Sequence, residues 1–316
     1  MTKHKHKISS NIQGIGFLVL AMLIFSLQNI AVKWIGGDYS VLEIVTLRSL
    51  TALPCTLLLY RYYEGERGLP TTQRRTLEYV RGVFLFLSYT AHMMGLAALP
   101  LADVEALRFS APLMITVLSV VMLGEKVGPH RWLALVVGFM GVLFVVQPGA
   151  ATFNLGSIFI LISVLFYALN VILTRKLQST DSSATMAYFS SLVYLVAALV
   201  FVPLSLVVGE MSGVHPSLAF LFRSWSMPTL LDGSIMLGLG LVWAGGMYCM
   251  ARAYSLALAS VVAPFEYLSL PISVMWGLVL WHEIPAWTTW AGAFLTLSSG
   301  MYILFRERRA RSVKVA

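Results

Sequence analysis

Between Gly14 and Phe305 one nearly uncharged apolar run follows another. In hydrocarbon no water meets a backbone N–H or C=O, so a spanning segment satisfies its own hydrogen bonds as a helix or pairs into a closed barrel. The runs here are continuous rather than alternating, which argues against a barrel. Composition agrees: 58% of residues are hydrophobic and 11% charged, against roughly a quarter charged in soluble domains. The chain reads as an all-α polytopic membrane protein. Ten spans are predicted: Gly14–Ile35, Val41–Tyr60, Tyr79–Leu99, Ala102–Leu123, Trp132–Val146, Leu155–Thr174, Ser183–Val208, Leu230–Ser255, Ala259–Trp281 and Trp287–Phe305. The fifth, with about 15 to 17 apolar residues, stands near the lower limit for a crossing.

The formal charge of +8 would suggest nucleic acid in a soluble protein. Here the cations gather in short loops and in two basic tails, residues 1–11 and 306–316, where topology explains them and no nucleic acid is implied. Lys3, Lys5, Lys7, Arg61, Arg67, Arg74, Arg75, Lys126, Arg131, Arg175, Lys176 and the tail arginines fall on one side if both termini are cytoplasmic. That is the orientation expected in a cell (inner) membrane. The first span is too long for a signal peptide and lacks a small-residue exit. Cys55 and Cys249 lie within apolar spans without a partner at useful spacing, so neither a disulfide nor a metal site is expected.

One stretch occurs twice. Ala102–Glu125 opens with charges, breaks at Pro112 and closes in Leu-Gly-Glu; Ala259–Glu283 carries an ionisable residue, then a proline, and closes in Trp-His-Glu. Overlaid, Arg108 meets Glu266 and Glu125 meets Glu283, with Pro112 and Pro271 one residue out of step. Elsewhere Gly14, Phe17, Gln28 and Lys33 reappear at constant offset as Gly156, Phe159, Asn170 and Arg175. The chain therefore divides into repeats at 12–146 and 155–305, joined by the turn-forming QPGAATFN. Five helices per half is an odd number, so the second copy inserts upside down. Such inverted-topology repeats place their site near the bilayer midplane.

Charged side chains inside membrane helices are functional candidates by default. Glu266, flanked by Phe265 and Tyr267, and its repeat mate Arg108 lead; a buried ion pair that only fixes helix packing is the plainer alternative. Glu105 precedes Arg108 by three residues on the same helical face and can pair with it. Arg252 is a partner or gate for Glu266, or snorkels to the surface. Arg81 is placed at the interface, Arg48 deeper in the second span, and His92 as a packed residue. Pro112, Pro264 and Pro271 free backbone carbonyls as hinge or kink positions. Tyr89, Trp243, Tyr248, Tyr254 and Tyr267 suit a planar or amphipathic solute, with Trp243 and Tyr267 chosen for lining. Gly138, Gly141 and Gly292 fit close packing of the fifth and tenth spans.

Ala102–Glu125, Gly138, Gly141 and the second copy through Pro264, Pro271, Glu283 and Gly300 resemble proteins of the drug/metabolite transporter superfamily with two EamA-type repeats. The resemblance covers about Ile12–Val146 and Leu155–Phe305. Trp-His-Glu departs from it, since the family usually has a small residue before that Glu. The resemblance implies ten helices, a central cavity lined mainly by the third, fourth, eighth and ninth, and alternating access.

No phosphate-binding, zinc-protease or nucleophile-elbow motif is present, and Gly238-x-Gly240 lies inside an apolar helix. No enzyme activity, metal or cofactor is expected. The chain reads as a secondary transporter moving a small organic metabolite (amino-acid-like, vitamin- or nucleoside-like, or otherwise amphipathic) across the cytoplasmic membrane. Its rival is a polytopic membrane enzyme acting on a lipid or isoprenoid, which would need convergent carboxylates or a nucleophile with its base. Glu266, desolvated by its neighbours, makes protons one candidate for coupling, behind exchange or facilitated diffusion; Arg108 or Arg252 nearby would oppose its protonation.

Overall fold

The computed structural model describes residues 2–36, 38–65, 68–124, 129–147, 154–177, 180–208, 215–256 and 268–313. Twelve helices run through them: α1 (Thr2–Ile35), α2 (Val41–Glu64), α3 (Arg75–Leu96), α4 (Leu101–Arg108), α5 (Ala111–Leu123), α6 (Pro129–Val146), α7 (Leu155–Leu177), α8 (Ser183–Val208), α9 (Pro216–Phe222), α10 (Leu230–Leu256), α11 (Ser269–Trp281) and α12 (Trp287–Val313). No strand occurs among the described residues.

Among the described residues six stretches are long and apolar enough to cross a membrane: Ile12–Ile35, Val41–Tyr63, Leu101–Met122, Leu155–Thr174, Ala184–Phe201 and Leu230–Met250. Trp132–Val146 and Ser269–Trp281 are shorter apolar helices. The protein is a multi-pass helical membrane protein. At about 1.5 Å per residue, the 24 residues of Ile12–Ile35 reach about 36 Å, enough for a hydrocarbon core of about 30 Å.

Local chemistry sets several helix ends. Ser40 caps α2 by accepting from the Glu43 N–H at 3.2 Å, satisfying one donor that the helix itself leaves open. Gly65 ends α2 in the left-handed conformation, where a residue without Cβ meets no steric penalty. Outside the spans, Tyr39 donates from its hydroxyl to Asp232 at 2.7 Å, and the bond pushes the Tyr39 pKa up.

The span Leu101–Met122 is two helices, not one. α4 stops at Arg108, Phe109 and Ser110 form a turn, and α5 starts at Ala111. Pro112 then falls in the first turn of α5, where its missing N–H has no helical partner to lose. The break therefore lies just ahead of the proline. Ser110 helps close it, since its Oγ donates to the Leu107 carbonyl at 2.6 Å. Both α5 and α11 are followed by a left-handed residue, Gly124 at φ 66° and His282 at φ 55°. The histidine thus occupies a backbone position that favours glycine.

The helices gather into two compact units, and each takes helices from both halves of the sequence. One comprises Met1–Ser26, Pro100–Asn154 and Tyr248–Ala316; the other comprises Leu27–Leu99 and Leu155–Met247. In the first, α6 packs along α12, and α4 lies against α11, α12 and α6. Gly141 and Gly292 face each other there: a Cβ on Gly292 would stand 2.5 Å from the Gly141 carbonyl oxygen. Ala106, Phe109, Leu270 and Ala293 form the buried centre of this unit. In the second, α3 packs on α7 and α8, and α2 on α8. Arg81 is buried there rather than interfacial. Its Nε donates to Glu78 at 3.0 Å and its Nη2 to Ser190 and the Met186 carbonyl, while Asn170 donates to the Arg81 carbonyl. Paired on one side and hydrogen-bonded on the other, this cation can remain inside.

Candidate functional site

In the first unit, the eight residues of α4 carry the charges. Arg108 Nη1 donates to Glu105 Oε1 at 3.0 Å, the i,i+3 pair expected on one helical face. The carboxylate is buried, but the guanidinium is 45% exposed, so the pair contributes only about 0–1 kcal/mol to stability. Asp103 accepts from the Thr289 hydroxyl of α12. The start of α4 is held from a distance: the Leu101 N–H donates to Glu283 Oε2 at 3.2 Å. A carboxylate at a helix N-terminus satisfies an open donor and lies favourably in the helix dipole, which gives the closing Glu of Trp-His-Glu a role.

In the second unit, Tyr89 of α3 and Trp243 of α10 meet edge to face, ring centroids 6.2 Å apart. Tyr194 of α8 joins both, at 5.9 Å from each. The three rings surround Arg48 of α2. Its guanidinium carbon lies 4.0 Å from the Tyr89 ring centroid, 4.8 Å from Trp243 and 5.0 Å from Tyr194. Arg48 is 1% exposed. A buried cation in a membrane helix costs about 2.5–3.5 kcal/mol on insertion scales. Desolvated cation–π contacts, worth about 2 kcal/mol each, can offset that. They leave part of the guanidinium unanswered: Nε and Nη1 find no hydrogen-bond partner among the described residues, and neither does the Tyr89 hydroxyl.

The structure thus joins Tyr89 to Trp243 in one unit and Arg108 to Glu105 in the other. Arg252 is exposed on α10, and Pro271 is exposed in the first turn of α11. Glu266, Tyr267 and Pro264 lie outside the described residues. His92 is buried in α3. Tyr248 packs edge to face on Phe17, centroids 6.4 Å apart. Sequence reasoning missed the convergence on Arg48. Its depth in an apolar helix was a usable signal; nothing in the sequence marked Tyr194 as its neighbour. Among the described residues no group of three or more His, Cys, Asp or Glu is placed to hold a metal.

Comparison with known proteins gives the following likenesses. The EamA-like transporter family matches residues 12–147. The S-adenosylmethionine uptake transporter of Rickettsia bellii is 26% identical over 302 residues, covering 96% of this chain and 97% of that protein. The riboflavin transporter of Vibrio cholerae is 27% identical over 312 residues, covering 96% and 97%. The pseudopaline exporter of Pseudomonas aeruginosa is 27% identical over 284 residues, covering 89% and 92%. One crystal structure of another protein superposes with a TM-score of 0.62 over 95% of this chain and 97% of its own, at 14% identity, a likeness of fold alone.

Proposed function

Given that residues 12–147 are an EamA-like transporter domain and the chain is a small-metabolite transporter of the drug/metabolite transporter superfamily, we propose that it works as a ten-helix carrier by alternating access. Its two five-helix repeats, 12–146 and 155–305, are inverted relative to each other, and both termini are cytoplasmic in the cell membrane. The matching left-handed caps at Gly124 and His282, each followed by a glutamate, support the repeat. The solute is a small organic metabolite, amphipathic and amino-acid-like or vitamin-like, in keeping with relatives named for S-adenosylmethionine and riboflavin.

The observation that carries this reading is the interrupted span with an exposed arginine at the break. Irregular backbone at membrane depth is tolerated where it lines a cavity, and carriers build solute sites from such broken helices. Arg108, Glu105, Glu266, Tyr267, Arg252, Tyr89 and Trp243 act on the solute along its path, and Pro112, Pro264 and Pro271 mark the points of flexure. Reconstitution tests the proposal: S-adenosylmethionine, riboflavin and amino acids should include at least one solute that enters proteoliposomes chemically unchanged. Arg108→Ala and Glu266→Gln should each abolish that entry while the protein still inserts and keeps its melting temperature. No flux above protein-free vesicles for the whole panel would overturn the carrier reading. Uptake concentrated by an imposed pH step in wild type, and lost in Glu266→Gln, would identify the proton as coupling ion; indifference to the step leaves exchange or facilitated diffusion.

A further inference from the structure

Arg48 has more donors than the described residues supply acceptors. Three aromatic rings within 5.0 Å hold its charge, but a ring face is a poor acceptor for an N–H. Nε and Nη1 stay unmet among the described residues, and the buried hydroxyl of Tyr89, whose ring lies against the guanidinium, is unmet as well. Arg81 pairs with Glu78 and Arg108 with Glu105; Arg48 belongs to neither pair. A water molecule would satisfy a donor and leave the charge uncompensated. An anion with oxygens in the guanidinium plane would satisfy both. One arginine balances one negative charge, which favours a carboxylate over a phosphate dianion. The surrounding rings supply faces on which an apolar or planar remainder can rest.

We propose that Arg48, with Tyr89, Tyr194 and Trp243, is the anchor for a carboxylate of the transported solute. The solute class is therefore amphipathic carboxylic acids, amino acids and their conjugates included. This rests on the carrier reading and adds the chemical group that the carrier recognises. Arg48 touches the solute directly, and the Tyr89 hydroxyl is its second donor.

The test uses purified full-length protein in detergent and matched probes: tryptophan, indole-3-acetate and S-adenosylmethionine against tryptophanamide and indole-3-acetamide. At least one acid should raise the melting temperature of the wild type, and the corresponding amide should bind at least about tenfold more weakly. Arg48→Gln should lose the acid by about tenfold or more, and Arg48→Lys should retain part of it because the charge survives without the planar fork. Arg48→Met, close in volume, should leave the ligand-free melting temperature at or above that of the wild type. A fall of more than about 5 °C would make Arg48 a packing brace and overturn the proposal. So would acids and amides that bind alike, a panel in which no acid binds, or Arg48→Gln binding acids as the wild type does. Riboflavin, which has no carboxylate, separates the two readings in proteoliposomes. Riboflavin flux with no acid recognised leaves the carrier and removes the anchor; no flux of any solute removes the carrier itself.

Discussion

Alanine at Gly292 tests how α6 and α12 are joined. The added Cβ would lie 2.5 Å from the Gly141 carbonyl oxygen and 2.5 Å from Val145 Cγ2. A carbon–oxygen contact across helices settles at about 3.3 Å or more, so the helices must part by about 0.8 Å. The carbonyl cannot swing aside, because it belongs to a helix. Parting disturbs the bond from Ser299 of α12 to the Ala134 carbonyl of α6. Overpacking of this kind costs about 1–3 kcal/mol, and alanine returns up to about 1 kcal/mol in helix propensity. The net loss is about 1–2 kcal/mol, a fall in melting temperature of about 3–6 °C. Gly238 in α10 is the control, since a Cβ there meets nothing within 4 Å. Gly238→Ala should hold or raise the melting temperature. Thermal unfolding in detergent, followed by circular dichroism, measures both. The same chemical change should move stability in opposite directions at the two positions. A Gly292→Ala protein as stable as wild type, or a control that falls as far, would refute the close approach.

Glu78→Gln should lower thermal stability far more than Glu105→Gln. The first leaves a buried arginine without its anion, about 3–5 kcal/mol; the second loosens a pair whose cation is half in solvent, about 0–1 kcal/mol. Paired melts of the two variants decide it, and equal losses would contradict the burial difference. His282→Gly should raise stability by about 1 kcal/mol, because the left-handed cap of α11 penalises any residue with a Cβ; an unchanged or lower melting temperature would show the cap is not strained. Cysteine at Ser224, exposed between α9 and α10, should react with an impermeant maleimide added to intact cells, and cysteine at Gln73 should not. Labelling at Gln73 from outside would overturn the proposed orientation.

Much of this protein was decided by its sequence alone. In hydrocarbon a helix closes its hydrogen bonds within one segment, so apolar run length and composition suffice to place α1, α2, α7, α8 and α10. The break ahead of Pro112 is also local, because the ring cannot sit in a continuing helix without displacing a bond. So is the i,i+3 pairing of Glu105 with Arg108. Partner choice between helices is not local. Lipid is as apolar as leucine, so hydrophobicity does not say which helix meets which; small residues and polar contacts do, across long separations. Only the folded chain brings α6 onto α12 and α3 onto α7, mixing the two halves of the sequence. Only there does Glu283 reach the start of α4. Arg48 shows the difference most plainly. Its charge and depth are written in α2, but the rings that hold it come from α3, α8 and α10, and its unmet donors exist only because those helices close around it.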